Sequence, residues 1–599
     1  GRETMKQAIS FKSIKRYHIL LFFIILTQCI YLSFSFGINK KGFHSDELWN
    51  YGFANSSQGT DIFKENNQLK NFDNWENSSI LYDYISVDKS EIFDYSSVYK
   101  NCADDYHPFL GFMLLHFICA LFPGTWSAWY CFALNLIFFV IQQIFLFKLI
   151  RRITNNSYYG IAGVLFFGFT TGAEDILFFL RIYCPATAIS VVFMYYLSEL
   201  YNQRNSSKVP INILVKIAIT TLIGCLTLHE FIILAFIAAL IYGLFYLITK
   251  HFKLAISFGI SMISSALLSI AIFPATIPHL FDSSGTFGSQ VVKYSFVFQF
   301  KLYMSYITND LFGVATSPWP SMFLWYLFYG LIVFLFFFIP FCFIFRHEKW
   351  LKNFFLLIKR KCIDFIHKFK FFNFALFALM IVCISMLAVN AYMTSIVHMG
   401  RVSNRYIMII YPLFAAFVVS LFCYCLNWIF KNKKLKYIMC YGFAVIFATL
   451  SILMAPHIFR FNYPHEGVAI EDIEENSNCI IMLSSPFLLT CTTYTLGKTD
   501  HFFATTYDTA LTVDYKNADI NFNDEPLYLL IDTSLFNNNG LSVGGISLPS
   551  SNITYDIEAI YDKDTYLSFF KNLDIASNFE KVGTDYNLFG REIEIYRLN

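Results

Sequence analysis

Long apolar stretches alternate with short basic connections along most of the chain. A bilayer core of about 30 Å needs roughly 20 apolar residues in a helix. Eleven stretches meet this requirement, and they cover residues 17–37, 126–150, 158–178, 183–200, 211–228, 232–249, 254–276, 322–345, 374–396, 406–430 and 437–456. The pattern predicts a polytopic α-helical membrane protein with about eleven transmembrane helices. An odd number of crossings places the two ends of the chain on opposite sides.

Lysine and arginine residues mark one side of these helices. They precede the first stretch and fill the connections at 148–152, 204–208, 250–253, 346–370 and 431–436. All of these segments fall on one side if the eleven-helix count holds, and the positive-inside rule makes that side cytoplasmic. We therefore expect residues 1–16 to be a cytoplasmic N-terminus, in which residues 1–4 before Met5 are an expression remnant. The expected location is the cell membrane, with multiple passes.

Most of the polar sequence falls on the other, extracytoplasmic side. A first outer loop covers 38–107, and a second covers 277–321. The apolar segment 109–123 is too short to cross a bilayer and predicts an interfacial helix. After a transmembrane domain at 17–456, the tail at 457–599 alternates short β-type runs with turn-rich polar segments. This pattern predicts an extracytoplasmic α/β domain.

Composition supports the membrane class and limits the partners. Of the 599 residues, 56% are hydrophobic and only 14% are charged, whereas roughly 25% are charged in soluble proteins. The net charge is +2, and the basic residues lie in short clusters rather than on one continuous face. Nucleic acid is therefore not an expected partner.

Two adjacent carboxylates, Asp46 and Glu47, follow the outer end of the first stretch. Charged side chains so close to a bilayer are costly unless they are solvated, paired or used in chemistry. Further polar elements recur at outer helix ends, in the order Asp105-Tyr106-His107-Pro108, Arg181-Ile182-Tyr183, Thr227-Leu228-His229-Glu230 and Asn404-Arg405-Tyr406. The set indicates a functional site at the outer membrane boundary.

This ordered set resembles the C-type glycosyltransferases (GT-C fold) of the protein O-mannosyltransferase and aminoarabinose-transferase superfamily. In that family an Asp-Glu pair follows the first helix, and an Asp-x-His-Pro-Pro-Leu segment opens a helix at the outer surface. The resemblance covers roughly residues 17–456. The chain departs from the family pattern where Phe109 replaces the second proline and where a Thr-His-Tyr-like element reads Thr227-Leu228-His229-Glu230.

The resemblance implies an inverting transferase that moves a monosaccharide from a polyprenyl-phosphate donor to an extracytoplasmic acceptor hydroxyl, in the modification of a cell-surface glycan. A composition rich in Phe, Ile, Asn and Lys is typical of an AT-rich bacterial genome, so undecaprenyl phosphate is the expected carrier. Phosphate leaves without protonation, so one carboxylate base for the acceptor suffices, and Asp46 is the expected base.

The other outer-face residues take supporting roles under this interpretation. Three are expected to shape the acceptor pocket, namely Glu47, Asp105 and His107. Four are expected to bind the donor phosphate, namely Arg181, Arg405, His229 and Arg401. The chemistry requires no cofactor, although His229 and Glu230 could help to hold a divalent metal.

Two alternatives make different demands on the chain. A polysaccharide polymerase or ligase that uses a lipid-diphosphate oligosaccharide needs a wider outer groove and more cationic residues. A transporter or lipid flippase needs polar or broken helices at mid-membrane and an inverted repeat, and neither is evident in the sequence. The sugar and the acceptor, whether glycan, lipid or protein, stay open because the outer loops and the outer domain would select them.

Overall fold

The computed structural model describes residues 16–59, 64–65, 68–281, 296–313, 373–393, 403–458, 465–516, 520, 525–533, 536, 561–573, 578–588 and 591–598. Its first fourteen helices are α1 Arg16–Asn39, α2 Ser45–Asn55, α3 Ser79–Ile85, α4 Tyr95–Asp104, α5 Leu110–Cys119, α6 Ala128–Thr154, α7 Ser157–Phe167, α8 Thr171–Phe178, α9 Tyr183–Asn202, α10 Ile211–Cys225, α11 His229–Ile248, α12 Phe252–Ile272, α13 Thr276–Phe281 and α14 Phe296–Phe312. The later helices are α15 Phe374–Met393, α16 Tyr411–Ile429, α17 Lys433–Ile458, α18 Thr493–Leu496 and α19 Lys563–Lys571, with a 3-10 helix over Ser403–Ile410.

Seven of the described helices are long and apolar enough to cross a membrane, and the bent pair α7 and α8 forms an eighth candidate. These helices confirm the predicted class of a polytopic α-helical membrane protein. The predicted span at 322–345 lies outside the described residues. Helix α10 has only 15 residues, which is about 22 Å of helix and less than a full bilayer core.

The apolar pattern predicts one continuous helix at 158–178, but the structure divides this segment. Helices α7 and α8 meet at an angle of 66° around residues 168–170. Thr170 caps α8 by accepting a hydrogen bond from the backbone N–H of Ala173, which fixes a new helix start inside the apolar run. Glu174 in the first turn of α8 then accepts hydrogen bonds from Tyr31 and Ser35 of α1.

The second outer loop is more ordered than the sequence predicts. Within 277–321, which is predicted as a loop, the structure contains α14. This helix buries Tyr303, Tyr306 and Leu311 and packs against α8, α15 and α17. Polar residues between these apolar positions hide the helical pattern, and burial between membrane helices stabilises it.

The C-terminal region forms the predicted α/β domain. Its strands are β3 Trp75–Asn77, β4 His465–Gly467, β5 Asn478–Leu483, β6 His501–Thr506, β7 Leu527–Asp532, β8 Phe579–Leu588 and β9 Arg591–Leu598, while β1 Lys64–Glu65 and β2 Gln68–Leu69 form a separate hairpin. The sheet order is β3-β6-β5-β7-β9-β8-β4, and β6, β5 and β7 run parallel. The first outer loop also supplies β3 as an edge strand, so the sheet contains residues from outside the predicted domain at 457–599.

Candidate active site

A short connection between α1 and α2 places Asp46 just beyond the end of a candidate membrane helix. Gly42 adopts a left-handed backbone with φ of 65°, which turns the chain after α1 ends at Asn39. His44 then caps α2, because its Nδ1 accepts a hydrogen bond of 3.1 Å from the backbone N–H of Asp46. Asp46 is therefore held in the first turn of a capped helix and not in a loose loop.

Glu47 anchors this turn from inside the protein. Its carboxylate pairs with Lys40 Nζ at 2.8 Å and accepts the backbone N–H of His44 at 2.7 Å. It also accepts the backbone N–H of Leu180 at 2.9 Å, which joins α2 to the segment that precedes α9. Glu47 is fully buried and Lys40 nearly so. The contacts of Glu47 are those of a residue that positions its neighbours.

The Asp46 carboxylate lies beside two arginines from distant parts of the chain. Arg405 Nη1 is 3.4 Å from Asp46 Oδ2, and both side chains keep some exposure, at 12% and 16%. Arg181 Nη1 donates to the Asp46 backbone carbonyl at 3.0 Å. His44 Nδ1 is 3.6 Å from the other carboxylate oxygen. The predicted base and two predicted phosphate ligands therefore share one site.

A second carboxylate reaches the same site through a histidine. Arg181 Nη2 lies 2.8 Å from His107 Nε2, and His107 Nδ1 hydrogen-bonds to the Asp105 carboxylate. A guanidinium can only donate, so Nε2 accepts and the His107 proton sits on Nδ1, where it is donated to Asp105. Asp105 therefore orients His107, and His107 in turn orients one terminal nitrogen of Arg181. The other terminal nitrogen of Arg181 donates to the Asp46 backbone carbonyl.

The site favours the ionised form of its carboxylates. Burial alone would raise the pKa of the Asp46 carboxyl, but Arg405, His44 and Arg181 together hold it well below its ordinary value. The pKa of Asp105 is lowered in the same way, with burial outweighed by His107 and Arg181. Burial lowers the pKa of His44 to about 3, and Arg405 and Arg181 add to this effect. Asp46 therefore faces its surroundings as a carboxylate beside a neutral His44.

A small polar pocket of about 100 Å³ opens beside Asp105. Lys100, Asn101 and Asp104 from α4 and its end line the pocket, and Gln58 lines it from the other side. The position of Asp105 in this pocket is compatible with its predicted role toward an acceptor.

His229 and Glu230 open α11 at the same end of the bundle. His229 Nε2 lies 3.4 Å from His279 Nδ1, while Glu230 lies within electrostatic reach of His107, Arg181 and Arg405. Among the described residues, no group of three or more His, Cys, Asp or Glu side chains has the geometry of a metal site. Arg401, the fourth predicted phosphate ligand, lies outside the described residues.

Neither a family model nor a curated protein matches the chain. Among solved structures, ArnT from Cupriavidus metallidurans bound to undecaprenyl phosphate is 9% identical with a TM-score of 0.44, over 97% of this chain and 98% of that chain. The archaeal oligosaccharyltransferase AglB from Archaeoglobus fulgidus, in complex with an inhibitory peptide and a dolichol-phosphate, is 10% identical with a TM-score of 0.44, over 86% of this chain and 70% of that chain.

A buried polar network lies next to Arg405, and Asn404 is its one member that the sequence motifs include. Asn404 Nδ2 donates to Asp175 at 2.7 Å and to Asp310 at 3.2 Å, and Tyr411 donates its hydroxyl to Asp310 at 2.5 Å. The network ties the 3-10 helix before α16 to α8 and α14. It thereby fixes the backbone next to Arg405. Asp310 lies in the segment predicted as a loop, so sequence spacing offered no signal for it.

Proposed function

We propose that the chain is an inverting glycosyltransferase. It would move a monosaccharide from a polyprenyl-phosphate donor, with undecaprenyl phosphate as the expected carrier, to an acceptor hydroxyl on the outer side of the membrane. One observation carries the proposal: a partly exposed Asp46 carboxylate lies 3.4 Å from Arg405 and is bound through its backbone to Arg181. A base and two phosphate-binding groups converge there from three distant segments.

The position of the site suits a lipid-linked donor. Asp46 follows α1, Arg181 precedes α9 and Arg405 precedes α16, so all three lie at the ends of membrane helices. A phosphate can meet these groups while its polyprenyl chain stays in the bilayer. Charges at helix ends favour transfer chemistry at the boundary, whereas transport would place functional charges halfway through the helices.

The arginines would stabilise the leaving group. When the bond between the anomeric carbon and the phosphate oxygen breaks, its electron pair goes to the phosphate, which then carries additional negative charge. Guanidinium groups form paired, charge-assisted hydrogen bonds to such oxygens, and these bonds strengthen as charge develops. Arg181 is already oriented by His107 Nε2, and Arg405 by the network next to it.

Asp46 would take the acceptor proton. The acceptor oxygen attacks the anomeric carbon from the face opposite the phosphate, and its proton moves to the Asp46 carboxylate, so the configuration at that carbon inverts. Arg405 holds Asp46 in its ionised form before the donor binds. A donor phosphate that draws Arg405 away from Asp46 would make the carboxylate a stronger base when it is needed.

Substitution of Asp46 tests the proposal directly. Purified full-length protein is assayed with a panel of undecaprenyl-phosphate sugars, and sugar transfer and release of undecaprenyl phosphate are measured. Asp46→Asn should abolish turnover and retain donor binding, because it removes the proton acceptor without much change in size. Asp500→Asn, an exposed carboxylate of the outer domain, is the matched control. Near-normal turnover of Asp46→Asn would contradict the assignment of the base.

Arg405→Ala tests the donor side of the site. Loss of a charge-assisted contact to phosphate costs about 1.5–3 kcal/mol, which corresponds to roughly 10- to 150-fold weaker donor binding. The measurement is a thermal-shift titration with the lipid-phosphate sugar that supports turnover. Unchanged affinity for that donor would remove Arg405 from the phosphate site.

A further inference from the structure

A basic cavity lies at the ends of the helices that point away from Asp46. Helix α9 starts beside Arg181 and runs for 20 residues to Asn202, which is about 30 Å of helix. A cavity of about 440 Å³ lies next to this far end, between the connections at 203–210 and 250–254. Cavities of roughly 300–1,000 Å³ are typical of ligand sites. This cavity is therefore large enough for a ligand and separate from the candidate active site.

The walls of the cavity are fixed by local contacts. Lys250 adopts a left-handed backbone with φ of 63°, which reverses the chain between α11 and α12. His251 Nε2 lies 3.0 Å from Asn205 Oδ1 and so ties this turn to the connection after α9. Arg204 donates to the carbonyl of Tyr201 at 2.9 Å and lies over the Tyr201 ring. Two connections from different helix pairs thus form one structured site.

The side chains that line the cavity carry a net positive charge. It contains four side chains with a permanent positive charge and no carboxylate; the cations are Arg204, Lys208, Lys250 and Lys253. None of the three lysines has an ion-pair partner in the part of the chain that the structure describes. Concentrated positive charge in a concave site attracts anions. The first turn of α12, at Phe252 and Lys253, adds the positive end of a helix dipole.

Apolar side chains around the cavity face the lipid. Ile248 is 78% exposed, Ile211 68%, Ile256 62% and Phe252 55%. In a membrane protein such side chains at the surface of the helix bundle contact acyl chains. A basic cavity with an apolar rim matches the two halves of a phospholipid, since its headgroup carries phosphate and its tails are hydrocarbon.

We propose that this cavity binds the phosphate headgroup of an anionic phospholipid in the leaflet opposite the active site. The lysines and Arg204 would surround the headgroup, and the acyl chains would lie along Phe252 and Ile256. The binding would anchor the ends of α9 to α12 in the membrane. This inference does not depend on the proposed transferase function, because the two sites lie at opposite ends of α9.

The test compares lipid binding by a variant that removes three positive charges and a variant that keeps them. Full-length protein in a neutral detergent is titrated with phosphatidylglycerol and with phosphatidylcholine of the same acyl chains, and binding is followed by native mass spectrometry and thermal shift. The variant K208Q/K250Q/K253Q should bind phosphatidylglycerol about 100-fold more weakly, because each basic residue near an anionic headgroup contributes about a fivefold factor. The charge-retaining variant K208R/K250R/K253R should keep wild-type affinity.

A control on the same side of the membrane separates a site from general surface charge. Lys431 lies in the connection before α17, Lys433 and Lys434 lie in the first turn of α17, and all three are exposed. Asn156 bonds to Tyr437 at 3.1 Å, and Arg152 pairs with Glu199 near the end of α9, so this connection lies on the same side as the cavity. The variant K431Q/K433Q/K434Q should change phosphatidylglycerol affinity little. Equal losses in the two triple-Gln variants would overturn the proposal.

Two further outcomes are decisive. Full affinity in K208Q/K250Q/K253Q would overturn the site, and so would stabilisation by inorganic phosphate equal to that by phosphatidylglycerol, because the ligand would then be a soluble anion. If the triple variant does not fold, K208Q/K253Q leaves the turn at Lys250 intact. That double variant should lose about 30-fold in affinity by the same factors. An unchanged affinity in it would equally contradict the proposal.

Discussion

The buried pair of Lys40 and Glu47 offers the sharpest test of how the site is held. Oε1 of Glu47 accepts from Lys40 Nζ at 2.9 Å and from Leu180 N at 2.9 Å, while Oε2 accepts from Lys40 Nζ at 2.8 Å and from His44 N at 2.7 Å. Each carboxylate oxygen of Glu47 therefore accepts two hydrogen bonds. Glu47→Gln replaces one acceptor oxygen by an NH₂ group that faces hydrogen-bond donors, and it removes the carboxylate to which the buried Lys40 donates.

The expected cost follows from burial. The side chains of Lys40 and Glu47 are 3% and 0% exposed, so water cannot replace the lost partner. Removal of one member of such a pair typically destabilises by about 3–5 kcal/mol, because the remaining charge stays buried without its hydrogen-bonded partner. In the double variant Lys40→Met/Glu47→Gln no charge remains, so its cost should fall below the sum of the two single costs by about 2 kcal/mol.

The free energy of unfolding is measured by SDS titration of the purified protein for the wild type, both single variants and the double variant. An exposed pair supplies the control: Glu474 and Arg597 are 48% and 38% exposed, so Glu474→Gln should change stability by less than about 1 kcal/mol. A change below about 1 kcal/mol in Glu47→Gln, or strict additivity in the cycle, would refute the role given to this pair.

Two other predictions concern the groups around Asp46. Burial lowers the pKa of His44 to about 3, so stability should be full above the unfolded value of about 6.5 and decline as pH falls toward 3, by at most about 1.4 kcal/mol per pH unit. SDS titrations between pH 7.5 and 5.5 should show that the free energy of unfolding declines less steeply in His44→Asn than in the wild type, since Asn can still cap α2. An equal pH dependence in the two proteins would contradict this prediction. Glu471 accepts the backbone N–H of Gly42 at 2.8 Å. Glu471→Ala should lower turnover more than donor affinity, and Glu471→Gln should restore turnover; wild-type turnover in Glu471→Ala would contradict the coupling.

The sequence predicts the membrane helices and the composition of the site for a simple physical reason. Membrane helices alternate in direction, so polar residues at alternate ends of successive apolar stretches must lie on the same side. Asp46, Arg181 and Arg405 fall on one side by this rule, and the structure brings them into contact. The β-type runs after residue 465 predicted the outer domain by the same kind of pattern.

The pairings within the site could not be predicted from sequence. His107 contacts Arg181 and Lys40 contacts Glu47 because of how helices pack, and spacing along the chain does not encode such contacts. The sequence assigns Glu47 to the acceptor pocket, a role that its buried contacts neither require nor test. Strand β3 contains only three residues and is stabilised by pairing with β6. A strand so short has no pattern of its own.

The outer domain makes direct contacts with the segment that carries Asp46. Glu471 accepts a hydrogen bond from the backbone N–H of Gly42, and Thr490 accepts one of 2.8 Å from the Trp49 indole. The outer domain therefore contacts the chain both before and after Asp46. The Tyr494 ring also packs against Phe43, with ring centroids 5.5 Å apart. The arginines, in contrast, come from the membrane helices. The distance between Asp46 and the two arginines therefore depends on the docking of the outer domain as well as on the bonds that Asp46 and Glu47 make to the bundle.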